Sequence, residues 1–202
     1  MRFNQKNVLI VSEAILPLLG FFVWDWSVYF ILLFYAFDVL AQEGTMYLKT
    51  IKIRQTQGIE GGELHWFFYT VLSLFVVCFL FLLMHFAMGS IHPKISFIHQ
   101  ITAFWNYQDL GVKQGYFLIP LVCLSAYQNY KMNFLMRGLH RVTSIKKLWR
   151  DHIQALLFGV GFSGLTIALS QFVIFPELVY VLAIVAGIAS FNLFFKDEAN
   201  VG

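Results

Sequence analysis

Residues 64–92 read LHWFFYTVLSLFVVCFLFLLMHFAMGSIH, a run without a single Asp, Glu, Lys or Arg. A helix needs about 20 apolar residues to cross a hydrocarbon core of roughly 30 Å. The run exceeds that length, and it is apolar on every helical face instead of alternating with the period of two that is typical of a membrane strand. It therefore predicts a transmembrane α-helix.

The composition extends this prediction to the whole chain. Hydrophobic residues make up 59% of the sequence, charged residues only 12%, and the mean hydropathy is +0.70. Soluble domains are about half apolar and a quarter charged, so this composition excludes an ordinary soluble domain. We predict an all-α protein, a polytopic transmembrane helical bundle of about six spans, which forms a single domain over residues 1–202. The predicted spans are Asn7–Trp24, Ser27–Gln42, Leu64–His92, Gly115–Phe134, Ile153–Phe172 and Ile174–Phe195.

The Lys and Arg residues are distributed very unequally between the two sides of such a bundle. Of the 14 cationic side chains, all but Lys94 and Lys113 fall on the side that holds both termini. Cytoplasmic loops collect Lys and Arg, so both termini are expected in the cytoplasm. The basic face indicates contact with anionic membrane lipids, or docking of a partner protein, rather than nucleic-acid binding.

The segment between the third and fourth spans has the pattern of a short amphipathic helix. Its apolar residues recur on one helical face, between Pro93 and Gly111. A helix this rich in aromatic residues on the extracytoplasmic side is expected to lie in the membrane interface, as an anchor or as a lid over an outward-facing cavity. The residues of this face are Phe97, Ile98, Ile101, Phe104 and Trp105.

A literal G-x-G-x-x-G lies within the fifth predicted span, at Gly159, Gly161 and Gly164. A dinucleotide site needs this motif after a strand and in a solvent-exposed loop, which is not the context here. Small residues in membrane helices instead let two backbones approach closely. Because the sixth span supplies Ala183 and Gly187, we predict that spans five and six pack as a tight antiparallel hairpin.

Asp38 interrupts the apolar stretch LLFYAFDVLAQE at residues 32–43. At about 1.5 Å per residue it lies some 16 Å into the membrane, where an isolated carboxylate facing lipid is costly. We therefore expect Asp38 to face the bundle interior and to pair with a polar face of span four. The other members of this predicted polar cluster are Ser125, Asn129 and Asn133 of span four and Glu13 of span one.

Three histidines are candidate metal ligands. His85 and His92 lie near the outer end of span three, and His152 lies at the cytoplasmic entrance of span five. Histidine and carboxylate ligands suit zinc or iron, but the spacing of His85 and His92 lacks the i, i+3 or i, i+4 pattern of a helical ligand pair. Structural histidines and a proton relay are the alternatives, and the sequence leaves the cofactor unknown.

Several stretches together resemble a family of bacterial membrane proteins catalogued only as domain of unknown function 6498. The resemblance implies a polytopic inner-membrane protein in which an acidic residue of span two, histidines of span three and a histidine at the start of span five recur together. It implies no reaction. The stretches are ILPLLGFFVWDWS, LLFYAFD, FLLMHFAMGSIH, SAYQNYKMNF and RDHIQALLFGVGFSG.

Three classes of function remain open at this point. The first is a small channel or transporter with a polar path around Asp38, for which several copies would have to assemble if the path is a pore. The second is an accessory or scaffold subunit that docks a partner through its basic cytoplasmic loops. The third is a membrane-embedded, metal-dependent enzyme acting on a lipid through Asp38, His85 and His92.

Overall fold

The computed structural model describes residues 15–92, 94–106, 114–170, 172–173 and 175–195. Within these ranges the chain is helical and contains no strand, which confirms the predicted all-α class. A π-helical turn, Tyr130–Leu135, continues α5 directly, and a 3-10 turn follows at Leu139–Arg141. The α-helices are α1 (residues 15–23), α2 (Val28–Gln57), α3 (Glu63–Ile91), α4 (Phe97–Asn106), α5 (Gln114–Asn129), α6 (Ile145–Ser170) and α7 (Glu177–Phe195).

Most of the described residues in each of the six predicted spans are helical. Among the described residues, three helical segments are long and apolar enough to cross a membrane, namely Val28–Gln57, His65–Ile91 and Ile145–Leu169. These three segments support a membrane protein.

Helix α2 continues well past Gln42, where the second span was expected to end. Hydropathy falls at that point, but the helix goes on because it buries Thr45, Met46, Thr50 and Ile53 on one side. It stops only at Gly58, whose φ of 61° is a left-handed conformation that glycine adopts without steric cost. The drop in hydropathy after Gln42 therefore does not mark the end of α2, which continues to Gln57 with one side buried.

One glycine and one tryptophan make the closest contact in the connection between α1 and α2. The backbone oxygen of Gly20 accepts hydrogen bonds from the backbone N–H groups of Trp24 (3.2 Å) and Trp26 (2.9 Å). The indole of Trp26 covers Gly20 so closely that a Cβ atom there would lie 2.1 Å from Cε3 of the ring. The side chain of Ser27 then caps α2 by accepting a hydrogen bond from the N–H of Phe30. Gly20 thus lies at a close contact between α1 and the segment that leads into α2.

The largest apolar core joins α2 to its neighbours at the end of the bundle where α2 begins. It contains Tyr29 and Ile31 of α2, Met88 of α3, Phe104 of α4 and Val181 of α7. A second core, farther along the bundle, packs Val76 and Val77 of α3 against Leu156 of α6. A third core, at the end where α2 finishes, joins Ile53 to Tyr130 and Phe134 of the π-helical turn.

The predicted amphipathic helix between spans three and four is present as α4, Phe97–Asn106. Its expected apolar face is divided between two environments. Phe104 is 1% exposed and packs on Phe30 and Phe37 of α2, with ring centroids 4.6 and 5.4 Å away. Ile98, in contrast, is 80% exposed. The helix therefore docks on the bundle through part of its apolar face and leaves the rest uncovered.

Candidate functional site

A cavity of about 620 Å³ lies between the helices. Residues of α1, α2, α3, α5, α6 and α7 form its wall, and most of their side chains are apolar or aromatic. Along α2 the wall runs from Val28 to Gln42, a length of roughly 21 Å at about 1.5 Å per residue. The cavity is thus an elongated, largely apolar space that follows the axis of the bundle.

The position of Asp38 in this wall follows from the helical period. Val28, Leu32, Tyr35, Val39 and Gln42 are spaced alternately by four and three residues and therefore share one face of α2. Asp38, beside this row, lines the same cavity.

Asp38 and Gln42 form a hydrogen-bonded pair one helical turn apart. The side-chain amide of Gln42 donates from Nε2 to Oδ2 of Asp38 at 2.6 Å, and both residues are half-buried. Ser125 and Gln128 of α5 line the same cavity. The wall therefore includes a carboxylate, two amides and a hydroxyl from α2 and α5, together with the hydroxyls of Ser163 and Thr166 of α6.

The predicted polar cluster is only partly assembled. Asp38 and Ser125 line one cavity, whereas Asn129 and Asn133 are exposed and hydrogen-bond to each other. Ser125 and Gln128, three residues apart, lie on the cavity side of α5, and the row from Ser125 to Asn133 drifts away from it because the helical period is 3.6 residues. Glu13 lies outside the described residues.

A second polar group, which the sequence did not reveal, centres on Glu43. The residue is 3% exposed, and its side chain accepts hydrogen bonds from three donors. Nε2 of His152 donates to Oε2 at 2.6 Å, the hydroxyl of Ser73 donates to the same oxygen at 2.8 Å, and the hydroxyl of Tyr47 donates to Oε1 at 2.8 Å. These four residues, the Glu43 network, join α2, α3 and α6.

The sequence pattern did not identify Glu43 as a buried carboxylate, because Glu43 directly follows the last residue of the second predicted span, where a charged residue is common. The position of Tyr47, four residues after Glu43, is the feature of the sequence that could have indicated burial of Glu43. Glu43 and Tyr47 are one turn apart in a segment whose buried residues continue to Ile53, which is the pattern of a helix that buries one side. A buried carboxylate is costly unless it is fully paired, and here its donors satisfy it.

His152 connects the two polar groups. It pairs with Glu43, and it also lines the cavity that contains Asp38. The bond to Glu43 uses Nε2, so Nδ1 is the ring atom through which His152 can act on a molecule in the cavity.

The other two candidate metal ligands have separate partners. Nδ1 of His85 donates to the backbone oxygen of Phe81 at 2.8 Å, so Nε2 accepts from the hydroxyl of Tyr29 at 3.0 Å. Nε2 of His92 lies 3.3 Å from Oε1 of Glu177. Within the part of the chain that the structure describes, no three His, Cys, Asp or Glu residues are grouped so that they could hold a metal ion. The structure therefore does not bring His85, His92 and His152 into one site.

The small residues predicted to pack spans five and six face different neighbours. A Cβ atom at Gly187 of α7 would lie 2.9 Å from the ring of Phe162 of α6, so these two helices meet closely there. A Cβ atom at Gly159 would instead meet Leu80 of α3, at 3.6 Å. At Gly161 and Gly164 it would meet nothing within 4 Å outside its own helix, and Ala183 lines the cavity.

Comparison of the chain with protein-family models, with curated proteins and with solved structures finds no match. The geometry of the cavity and of the Glu43 network is therefore the basis on which a function can be argued.

Proposed function

We propose that this chain is a six-span membrane protein that binds and carries an amphipathic small molecule in its cavity. The observation that supports this proposal is the combination of a long apolar wall with the polar pair of Asp38 and Gln42. The volume of about 620 Å³ falls within the roughly 300–1,000 Å³ of typical small-molecule sites. In this proposal the polar part of the ligand contacts the pair, and its apolar part lies along the rest of the wall.

An ion channel is less well supported by this wall. A permeating ion needs oxygen ligands or water along its whole path, because each unsatisfied polar contact is costly away from water. Most of the side chains that form the wall are apolar. Since the helices of one chain form the cavity, the proposal requires no second copy.

The contacts at the two ends of the bundle support the proposed topology. At one end, the side chain of Gln57 donates to the backbone oxygens of His140 and Thr143, which brings the end of α2 to the loop before α6. The exposed basic residues Lys131, Arg137, Arg141, Lys146, Lys147 and Arg150 surround this loop in the sequence. At the other end, Ser27 contacts Gln100, and His92 contacts Glu177. We place the basic end in the cytoplasm of a bacterial cell and the bundle in its inner membrane.

The proposal can be tested by a substitution that fills the cavity with a larger side chain. Ser125→Trp introduces a large side chain into the wall, whereas Cys123→Trp places the same side chain at an exposed position of α5 that does not line the cavity. The probe is N-phenyl-1-naphthylamine, an apolar dye whose fluorescence rises on burial, added to the full chain in nanodiscs. We expect saturable binding that Ser125→Trp removes and Cys123→Trp keeps. Equal binding by both variants would contradict the proposal.

A second candidate function is an accessory subunit. At the basic end, the apolar side chains of Met132, Met136 and Val142 are exposed, and Val142 is 79% exposed. Interleaved basic and apolar side chains suit the anionic surface of the inner leaflet or an acidic partner protein. Co-purification from the native membrane tests this second candidate. The amount of partner protein that co-purifies with Val142→Asp is compared with the amount that co-purifies with the wild type.

A further inference from the structure

Three polar side chains lie together at one end of the cavity. Helices α2 and α5 both run toward the basic end of the bundle, where Ile53 packs on Tyr130, and α6 starts from that end. The last wall residues of α2 and α5 are Gln42 and Gln128, and the first wall residue of α6 is His152. These three side chains therefore define a polar end of the cavity, on the basic side of the bundle.

The opposite end of the cavity offers little to a polar group. Val28 of α2 and Ile91 of α3 line it with apolar side chains. The last wall residue of α6 is Thr166, and its hydroxyl already donates to the backbone oxygen of Phe162 at 2.9 Å. A polar head group that leaves water is costly unless it is hydrogen-bonded, so it belongs at the polar end, with the apolar part of the ligand toward Val28.

The ring of His152 is held in one orientation at the polar end. Its Nε2 donates to Oε2 of Glu43 at 2.6 Å, and the ring is nearly buried. Because Nε2 is occupied, Nδ1 is the ring atom that remains for a molecule in the cavity. Among the described residues, Nδ1 has no hydrogen-bond partner.

Small residues leave space beside this ring. Ala155 and Gly159 lie three and seven residues after His152, on the same face of α6, and both line the cavity. A ligand head group can therefore reach His152 without displacing a large side chain of its own helix.

The side chains of the polar end can both donate and accept hydrogen bonds. Nδ1 of His152 accepts while the ring is neutral and donates when the ring is protonated. The amide of Gln128 has two N–H groups and a carbonyl oxygen, and Gln42, which donates one N–H to Asp38, keeps its carbonyl oxygen. A hydroxyl group matches this character, because it bonds to Nδ1 in either state. An ammonium group only donates, and a carboxylate or an ether only accepts.

We propose that the cavity takes an uncharged, hydroxyl-bearing amphipath, with its hydroxyl group at Nδ1 of His152 and its apolar chain toward Val28. This inference rests on the proposed function, since it names the class of ligand for the same cavity. It assigns His152 as the residue that recognises the head group and Gln128 as a second contact from α5.

Three uncharged probes of equal size separate the inference from the proposed function. Decanol carries a hydroxyl group, methyl nonyl ether carries an oxygen that only accepts, and undecane has no polar atom. Each competes with N-phenyl-1-naphthylamine for the full chain in zwitterionic nanodiscs, at equal mole fraction in the lipid, with empty nanodiscs subtracted. We expect decanol to displace the dye at about tenfold lower mole fraction than the other two. If the ether or undecane displaces it as well as decanol does, the inference fails and the apolar cavity stands. If the dye does not bind saturably, both fail.

NMR of the histidine ring nitrogens tests where the hydroxyl group lies. In protein with ¹⁵N-labelled histidine, the signal of His152 is the one missing from the spectrum of His152→Gln, a variant that keeps a donor for Glu43. The Nδ1 signal should shift when decanol is added and stay in place with undecane. Equal shifts with the two probes, or no shift with either, would overturn the inference.

A pair of glutamine variants tests the second contact, and it serves even if His152→Gln does not fold. Gln128→Leu removes an amide from the wall, whereas Gln154→Leu makes the same change at a position of α6 outside the wall. Both positions are exposed, so neither substitution disturbs a buried core. Gln128→Leu should lower the preference for decanol over undecane several-fold, and Gln154→Leu should keep it. The same preference in both variants would contradict the proposal.

Discussion

Glu43 illustrates how much can depend on a single side chain inside a helical bundle. Its two carboxylate oxygens accept hydrogen bonds from Tyr47, Ser73 and His152, and so one residue of α2 is bound to α3 and α6. The side chains of His152 and Glu43 are 11% and 4% exposed, so water competes little with their contact. A pair of this kind stabilises only while both partners are present, because either one alone is a buried and unsatisfied group.

Removal of the Glu43 carboxylate should therefore destabilise the protein strongly. We expect Glu43→Ala to lower the free energy of unfolding by about 3 kcal/mol or more, since it leaves buried donors without an acceptor. Glu43→Gln should cost less because its amide oxygen still accepts. Glu60→Ala, at an exposed position between α2 and α3, is the matched control. The measurement is unfolding in mixed detergent micelles. A loss of less than about 1 kcal/mol in Glu43→Ala would show that the network is not structural.

The contacts of the histidines predict how the stability of the protein responds to removal of metal ions. Both ring nitrogens of His85 are engaged, and His92 and His152 pair with different glutamates. We therefore expect that EDTA treatment of the purified protein leaves its melting temperature unchanged, because the described residues contain no group of three His, Cys, Asp or Glu that could form a metal site. Elemental analysis before treatment is the control. A stoichiometric metal whose removal lowers the melting temperature would contradict this expectation.

At the scale of the helical element, two glycines that both lie within helices have opposite roles. In α1, Gly20 lies beneath the indole of Trp26, whereas in α2 the position of Gly44 has no neighbour within 4 Å of an added Cβ atom. The same residue type is thus required by packing in one helix and only tolerated in the other.

Alanine substitutions should separate these two roles. Gly20→Ala forces the Trp26 ring to move and should cost about 1–3 kcal/mol of unfolding free energy, as overpacking does. Gly44→Ala should be neutral or stabilise the protein by up to about 1 kcal/mol, because alanine is the better helix former. Thermal unfolding of both variants in detergent checks this pair. A Gly20→Ala variant as stable as wild type would mean that Trp26 does not pack closely on α1.

At the scale of the whole molecule, the helices alternate between two ends that differ in charge. The end of α2 meets the loop at residues 138–143 on the basic side, and the start of α2 meets α4 on the other side. Cysteine labelling can therefore determine on which side of the membrane each end of the bundle lies.

The proposed orientation predicts which loops a reagent reaches from outside the cell. In a background without Cys78 and Cys123, Ser96→Cys precedes α4 and Val142→Cys lies in the basic loop, both at exposed positions. A membrane-impermeant maleimide should label Ser96→Cys in intact cells and Val142→Cys only after the membrane is opened. The reverse result would invert the topology. Labelling of both in intact cells would show that the number of spans is wrong.

The sequence by itself determined the membrane class and the all-α class, because a run such as residues 64–92 has one stable solution in lipid, a helix that satisfies its own backbone. It also led to the expectation that Asp38 turns away from lipid, since the cost of a carboxylate facing lipid is a local property, and Asp38 lines the largely apolar cavity. Only the tertiary structure decided the Glu43 network and the cavity. Ser73 and His152 are 30 and 109 residues from Glu43 in the chain, and a local pattern carries no information about which distant donors a buried carboxylate will meet. The packing of whole helices determines which donors surround the Glu43 carboxylate.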